Sequence, residues 1–471
     1  MAIISNDIVT TDHVYPYVAG PGDPVVVLKQ DTIIMATQAN NAILADGGSD
    51  PFKAFIQIEG SVLGLSAFSS GISLRDNYGV IRIAETGSIY ARDFGVVTFL
   101  SNTNATSVFN AGTIEGTHRG VSLGAADDTL TNSGTIISSN TAVLLHAGDD
   151  RLTNTGSILG DIDLGDGNDI YQGYGGTVSG DLAGGNGNDT YFIDQGHVSI
   201  VELNGEGTDT VHTLVNFVLP HAVENLVLAG HESINGHGNV GDNQIQGNAG
   251  NNVLRGRGGD DLIQGYAGED TLRGQAGNDT MEGGEDDDWL DGGQGNDILR
   301  GGDGHDQLVG RAGKDELDGG DGDDHLSGGR SNDMLSGGDG DDVLIGGAGR
   351  DRLVGGAGED RLIGGAGADR MWGGQDADIF AFHQLSDSGA TTATRDTIYN
   401  FDLSEDLIDM RAFRADFTSG GFDANGRAQI RVVDSGATHS TVQLDADGDG
   451  VTDLEIQIRD LRGLTEDHFL L

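Results

Sequence analysis

Fourteen aspartates stand nine residues apart from Asp261 to Asp378, with Asn252 in the same phase ahead of them. Carboxylates repeated at a fixed short spacing are suited to holding hard cations. Their surroundings point the same way. The pattern is Gly-Gly-x-Gly-x-Asp-x-φ-x, with φ apolar, in fifteen unbroken copies from Gly247 to Ala381. Position one is Gly in all fifteen and position eight is apolar in all fifteen; position four is Gly in twelve, the exceptions being Asp286, Ser331 and Asp376. Glycine permits the backbone conformations of a tight loop and leaves carbonyl oxygens uncovered. Calcium takes about six to eight oxygens from carboxylates and carbonyls. The chemistry is cation binding, without a catalytic pocket.

Elements must hold these loops in place. The apolar residue at position eight suits a short strand with that side chain turned inward. Two successive nonapeptides then make one turn, with a strand on each side, and successive turns stack at strand spacing. Stacking brings aspartates of successive turns roughly 5 Å apart, a repulsion of about 3 kcal/mol per pair at an effective dielectric of about 20. The block is therefore expected to need its metal to fold. A disordered acidic tract would not need an apolar residue in phase fifteen times.

These repeats closely resemble the RTX (repeats-in-toxin) nonapeptide and the parallel β-roll it forms. The resemblance implies that the position-six aspartates of a repeat and of the next but one share a calcium ion with loop carbonyls. Carried over, the ligands are Asp261, Asp270, Asp279, Asp288, Asp297, Asp306, Asp315, Asp324, Asp333, Asp342, Asp351, Asp360, Asp369 and Asp378. Asn252 departs from the pattern and marks a weak site, and the non-glycines at 286, 331 and 376 put their own loops in question.

A longer repeat lies upstream. Asn110-Ala111-Gly112-Thr113-Ile114 recurs as Asn132-Ser133-Gly134-Thr135-Ile136 and Asn154-Thr155-Gly156-Ser157-Ile158, 22 residues apart each time, with Val121 and Val143 in phase. Short β-runs separated by Gly and Asn at this period read as coils of a parallel β-helix, the Asn stacking in a ladder or taking a left-handed turn. Glu85 to Ile89 reads as an earlier, degenerate coil. Downstream, Gly184 to Phe192 is a full nonapeptide and Gly165 to Asp169 most of one, which makes Asp169 and Asp189 secondary calcium candidates.

Residues 382–471 resemble the C-terminal cap of serralysin-type secreted proteins at Asp396 to Phe401, Glu405 to Asp409, Gly450 to Ile456 and Leu464 to Leu471. The ending Asp467-His468-Phe469-Leu470-Leu471 resembles a type I secretion signal, with His468 interrupting it; a final core strand would read the same way. Asp445, Asp447 and Asp449 open an EF-hand-like Asp-x-Asp-x-Asp-Gly run, but Glu455 falls at position 11 rather than 12 and strand-like flanks suit an acidic hairpin equally.

The fold expectation is all-β: a parallel β-helix running into a calcium-bound parallel β-roll with a small β-rich C-terminal cap. The divisions are 1–160 (β-helix region), 161–246 (degenerate turns and connector), 247–381 (roll) and 382–471 (cap and secretion signal).

Seventy-five acidic against 25 basic residues give a net charge of −50, which excludes nucleic acid as a partner and opposes adsorption to anionic lipid. No apolar run is long enough to cross a membrane as a helix, so no membrane insertion is expected. There is no cysteine, and Met1 to Gly20 lacks the basic and apolar segments of a Sec leader. The expected location is extracellular, reached from a Gram-negative cell through a type I apparatus. His-Glu-x-x-His and Gly-x-Ser-x-Gly are missing, and Gly310 to Asp315 lacks the Ser/Thr of a phosphate loop. Two classes remain. One is a non-enzymatic calcium-binding protein with a matrix, surface or adhesion role, its partners calcium and a polysaccharide or cell surface. The other is a polysaccharide-active β-helix enzyme of lyase or epimerase type. Against the second, the epimerase Asp-Pro-His motif is absent: Asp23-Pro24 and Asp50-Pro51 are followed by Val25 and Phe52.

Overall fold

The computed structural model describes the strands between Ala2–Ile4 and Ser61–Gly64, then residues 70–75, 79–98 and 104–471 except 392 and 436–438. The pairs Asp23-Pro24 and Asp50-Pro51 lie outside the described residues. The chain divides into two compact units, Met1–Val227 and Leu228–Leu471. That division falls inside the stretch 161–246 read from sequence as a connector. Position 160 lies within a strand, Ser157–Asp166, paired on both sides.

The first unit is a parallel β-helix with three columns of strands. One column runs through Ala54–Ile58, Gly79–Ile83, Thr106–Asn110, Thr129–Asn132, Arg151–Asn154, Ile170–Gln172, Thr190–Ile193 and Thr210–Thr213, each parallel to the next. Register follows from what each strand buries. In the second column Val62, Ile89, Ile114, Ile136, Ile158 and Val178 stack directly on one another. In the third, Ile72, Val96, Val121, Val143, Ile162, Leu182 and Ile200 do so. A one-residue slip would turn every one of these outward. The degenerate coil expected at Glu85 to Ile89 is present, with Ile89 paired to Ile114.

The repeated Asn forms a ladder. Asn110 Nδ2 donates to Asn132 Oδ1 at 2.7 Å and Asn132 Nδ2 to Asn154 Oδ1 at 2.8 Å, all three side chains being buried. Each amide thus satisfies the next inside the coil, where an unpaired one would cost about 1–3 kcal/mol.

The second unit is a roll with two columns of parallel strands, each strand pairing in register with the one two repeats further along the chain. Ile263, Met281, Leu299, Leu317, Leu335, Leu353 and Met371 stack in one column, and Leu254, Leu272, Leu290, Leu308, Leu326, Leu344, Leu362 and Phe380 in the other. All are buried. Positive φ recurs at positions two and four of the repeats, and there the non-glycines keep the glycine geometry: φ is 77° at Asp286, 85° at Ser331 and 68° at Asp376. The loops questioned on sequence hold their backbone shape, at the cost of a left-handed conformation for a residue with a Cβ.

After Ala381 both columns continue with new spelling. Ile398 stacks on Met371 and Ile458 on Ile398; Ile408 stacks on Phe380 and Phe469 on Ile408. Trp372 and Tyr399, paired in register, stack with ring centroids 4.4 Å apart. The Arg361 and Arg411 guanidinium groups clasp the buried Asp409 at 3.1 and 2.7 Å. Gln429–Ser435, His439–Asp445 and Leu454–Arg459 form an antiparallel meander. The Phe469–Leu470 tail is a final strand.

Candidate metal centre

Each position-six Asp sits at the end of its loop, just before the strand that carries the buried position-eight residue. The strand column fixes its height, and the carboxylate reaches to the preceding turn. Asp279 Oδ1 accepts the Asp261 N–H, Asp288 Oδ1 that of Asp270, and so on to Asp378 and Asp360, at 2.7–3.1 Å throughout. This accounts for one oxygen of each carboxylate. The other, Oδ2, has no hydrogen-bond partner in any of the fourteen, although all fourteen side chains are buried. A buried carboxylate oxygen without a donor is costly, and here the same cost recurs at every turn.

Those oxygens point to one place. At each position-one glycine from Gly256 to Gly373, an added Cβ would run into the Oδ2 of the Asp five residues on. At Gly265, Gly283, Gly301, Gly319 and Gly337 it would also meet the carbonyl oxygen of the position-one glycine two repeats further on. The missing side chain therefore leaves a cradle lined by carboxylate and carbonyl oxygen. That donor set suits calcium.

Burial dominates the electrostatics. It pushes the carboxyl pKa up to about 6 at Asp279 and Asp306, about 7 at Asp261 and Asp324 and about 8 at Asp288, with neighbouring carboxylates adding to the rise at most of them. Metal-free, the row resists ionisation. Asn252 differs: its Oδ1 accepts the Asn248 N–H at 2.8 Å and its Nδ2 donates to the Ile234 carbonyl at 2.8 Å. Its oxygen is spent within the protein, in keeping with a departure from the ligand pattern.

The row extends where sequence reading missed it. Asp369 N–H bonds Asp396 Oδ1 at 2.8 Å and Asp378 N–H bonds Asp406 Oδ1 at 3.0 Å. The first unit has a row of its own. Asp128, Asp150, Asp169, Asp189 and Asp209 are linked by the same amide-to-Oδ1 bonds at 2.6–2.8 Å, and the Oδ2 atoms of the first four lack partners. Asp169 and Asp189 were read as candidates; Asp128, Asp150 and Asp209 were not. Their signal was the acidic pair before an apolar strand, Asp127-Asp128 and Asp149-Asp150, in phase with the 22-residue coil.

The loop after His439–Asp445 joins two antiparallel strands, as the hairpin reading requires. Asp445, Asp447 and Asp453 bring carboxylate oxygens within 4.8 Å of one another. Asp445 accepts amides of Gly448 and Gly450 at 2.7 and 2.8 Å, so its oxygens already close the turn. Asp449 is outside the group and accepts the Val451 N–H at 2.8 Å.

One surface of the second unit has the opposite charge. A groove is lined by Arg255, Arg257, Arg273, Arg311, His237 and Trp289. The Arg273 guanidinium lies 4.8 Å over the Trp289 ring, and Arg311 is paired with Asp291.

A family model for the RTX calcium-binding nonapeptide repeat, in four copies, matches eight overlapping stretches between residues 237 and 380. No curated protein matches the chain. Among solved structures, the AlgE6R3 subunit of the Azotobacter vinelandii mannuronan C5-epimerase is 31% identical, over 32% of this chain and 80% of its own, at a TM-score of 0.22. The AlgE6R2 subunit of the same enzyme is 29% identical, over 31% and 90%, at 0.24. The in-phase aspartates, the two-column roll and the family match agree, and through residues 237–380 this chain belongs to the family of RTX calcium-binding nonapeptide repeats.

Proposed function

We propose that this chain is a secreted, non-enzymatic calcium-binding protein whose roll folds on meeting extracellular calcium. The observation that carries the reading is the row of fourteen buried, partnerless Oδ2 atoms facing glycine cradles. Calcium held there would neutralise the carboxylates and link each turn to the next. Asp261 through Asp378 would be its carboxylate ligands, and the position-one glycine carbonyls would complete the oxygen set. Where free calcium is scarce, the same carboxylates oppose stacking and keep the block unfolded, a state that suits passage through a type I channel. The chain has no cysteine, so no disulfide can serve as an alternative brace outside the cell.

Equilibrium dialysis against calcium tests the binding. On the order of ten ions per chain are expected, and retention of one or none would overturn the reading. Export is tested by fusing residues 412–471 to a passenger in a host with a matching transporter. The fusion should reach the medium and the passenger alone should not; equal retention would overturn the secretion assignment.

The arginine-lined groove favours a second reading for the partner, an acidic polysaccharide. Guanidinium groups pair with carboxylates, and Arg255, Arg257 and Arg273 line the groove together. Calorimetry with uronate oligomers should show binding that Arg273→Ala weakens about tenfold or more, at about 1.4 kcal/mol per decade. Lyase and epimerase assays on the same polymers separate a binder from an enzyme.

A further inference from the structure

We propose that an acidic polymer laid in the arginine-lined groove braces the first turns of the roll, where calcium is least able to, so that polymer and calcium each strengthen the binding of the other. The inference rests on the reading of that groove as a site for a uronate polymer, and adds what its occupation does to the fold.

The groove is built by stacking. His237, Arg255, Arg273 and Asp291 pair in register on four successive parallel strands, Gly236–His237, Val253–Arg255, Thr271–Ala276 and Trp289–Gln294. Neighbours in the row are one strand step apart, about 4.7–4.9 Å. Arg257 lines the groove beside them. Among the described residues Arg255, Arg257 and Arg273 form no ion pair, and the buried Nε of Arg273 has no hydrogen-bond partner. Burial, together with Arg255 and Arg257, holds the His237 imidazole below its ordinary pKa. Like charges in register oppose the stacking that brings them together. A carboxylate shared between them reverses that sign, through charge-assisted hydrogen bonds to the guanidinium groups. A polymer crossing the strands of Arg255 and Arg273 would tie two turns together without a metal.

The same turns have the weakest calcium site. Asn252 immediately precedes the strand of Arg255, in the position that Asp270 and Asp288 take before the next two strands of that column. Its Oδ1 accepts the Asn248 N–H at 2.8 Å, and an added Cβ on Gly247 would run into that oxygen. A spent amide thus occupies the cradle where later turns hold a partnerless carboxylate oxygen. Asn243 repeats the arrangement on the other column: its Oδ1 faces Gly238 and accepts the Asn239 N–H at 2.7 Å. Further along the row the cations stop. Asp291 is followed in register by Val309, Ser327, Ile345 and Ile363, over turns whose aspartates are complete. The arginines are gathered where the row of carboxylates begins. Since the polymer reads stacked turns and calcium stacks them, each ligand favours the state that the other binds.

Hydrogen exchange on the full chain across a calcium titration, with and without a uronate oligomer, tests the coupling. A calcium buffer fixes the free ion, because uronate carboxylates themselves take calcium. The oligomer should lower the calcium midpoint for protection of 244–276 about fivefold or more. Residues 334–378, farther along the roll, should shift less. A neutral oligomer of the same length should leave both midpoints unchanged, and an equal shift with it would overturn the proposal. Arg255→Gln should abolish the shift. Arg257→Gln, at an exposed position, should reduce it and decides the matter if Arg255→Gln does not fold in calcium. Calorimetry in saturating calcium separates the coupling from the binding on which it rests. Uronate binding there without a change of midpoint would overturn the coupling alone; no binding would overturn both.

Discussion

The two units stack parallel strands in register, yet they bury different things. The coil that begins at Thr106 and gives way to the next at Asp128 buries Val108, Ile114, Val121 and Leu123, and ties Asn110 to Asn132. The turn beginning at Ile298 is two repeats long and buries Leu299 and Leu308, together with the carboxylates of Asp306 and Asp315. At about 1.5–3 kcal/mol for each buried aliphatic side chain, the first coil has roughly twice the apolar stabilisation of the second. The coil has one such carboxylate per turn, at Asp128, where the roll has two, so the same ladder geometry can be closed mainly by an apolar triangle or mainly by charges that need a cation. The first unit should stand largely without metal, and the roll should not.

The effect that touches the most groups at once is pH. In the metal-free roll the aspartates titrate at about 6 to about 8, against about 3.9 in an unfolded chain. A raised acid pKa means that the folded state binds protons more tightly than the unfolded one. The resulting penalty is absent below the unfolded value, grows as pH rises and is complete above the folded value. In chelator, lowering the pH from about 8 to about 5 should therefore restore part of the roll's β circular dichroism. A signal flat across that range would break the electrostatic half of the comparison.

Core truncation addresses the apolar half. Ile136, stacked between Ile114 and Ile158, is fully buried. Ile136→Ala should cost about 2–5 kcal/mol in denaturant melts of the first unit, by the same amount in calcium and in chelator. Leu308→Ala should cost a similar amount in calcium only. A calcium-dependent penalty at Ile136 would show that the first unit, too, relies on metal throughout.

Within the roll, Asp324→Ala removes a carboxylate and Gly319→Ala fills the cradle it faces. Either should raise the calcium midpoint of folding about tenfold, near 1.4 kcal/mol, because a central turn has neighbours on both sides. Asn252→Ala should shift it far less. Equal shifts at all three positions would argue against a roll that couples turn to turn.

The difference between the units also decided what could be read in advance. In the roll each position of the nonapeptide has one job, so the strands at Leu299 and Leu308 and the aspartates between them were legible from spacing alone. The upstream coils were legible where Asn110, Asn132 and Asn154 marked them. Beyond that the turns change length: the step from Asp128 to Asp150 is 22 residues, from Asp150 to Asp169 19 and from Asp169 to Asp189 20. A register that drifts hides a row such as Asp128, Asp150, Asp169, Asp189 and Asp209 from any fixed period. Asp396 and Asp406 were hidden likewise, because intervals of 27 and 28 residues replace the regular two-repeat step.

A smaller effect sharpens the account of the irregular loops. Ser331 holds a φ of 85° where most repeats have glycine. Ser331→Gly should relieve that conformation and stabilise the calcium-bound roll by up to about 1 kcal/mol, read as a higher melting temperature. A loss of stability would mean that the serine side chain contributes more than its backbone costs.

The central claim is that bound cation, rather than apolar burial, holds the roll together. Hydrogen exchange on the full chain, compared in calcium and in EDTA, tests it most directly. Amides of 261–378 should be protected in calcium and exchange at near-unfolded rates in EDTA, while those of 104–180 stay protected in both. Full protection of 261–378 in EDTA would contradict the account.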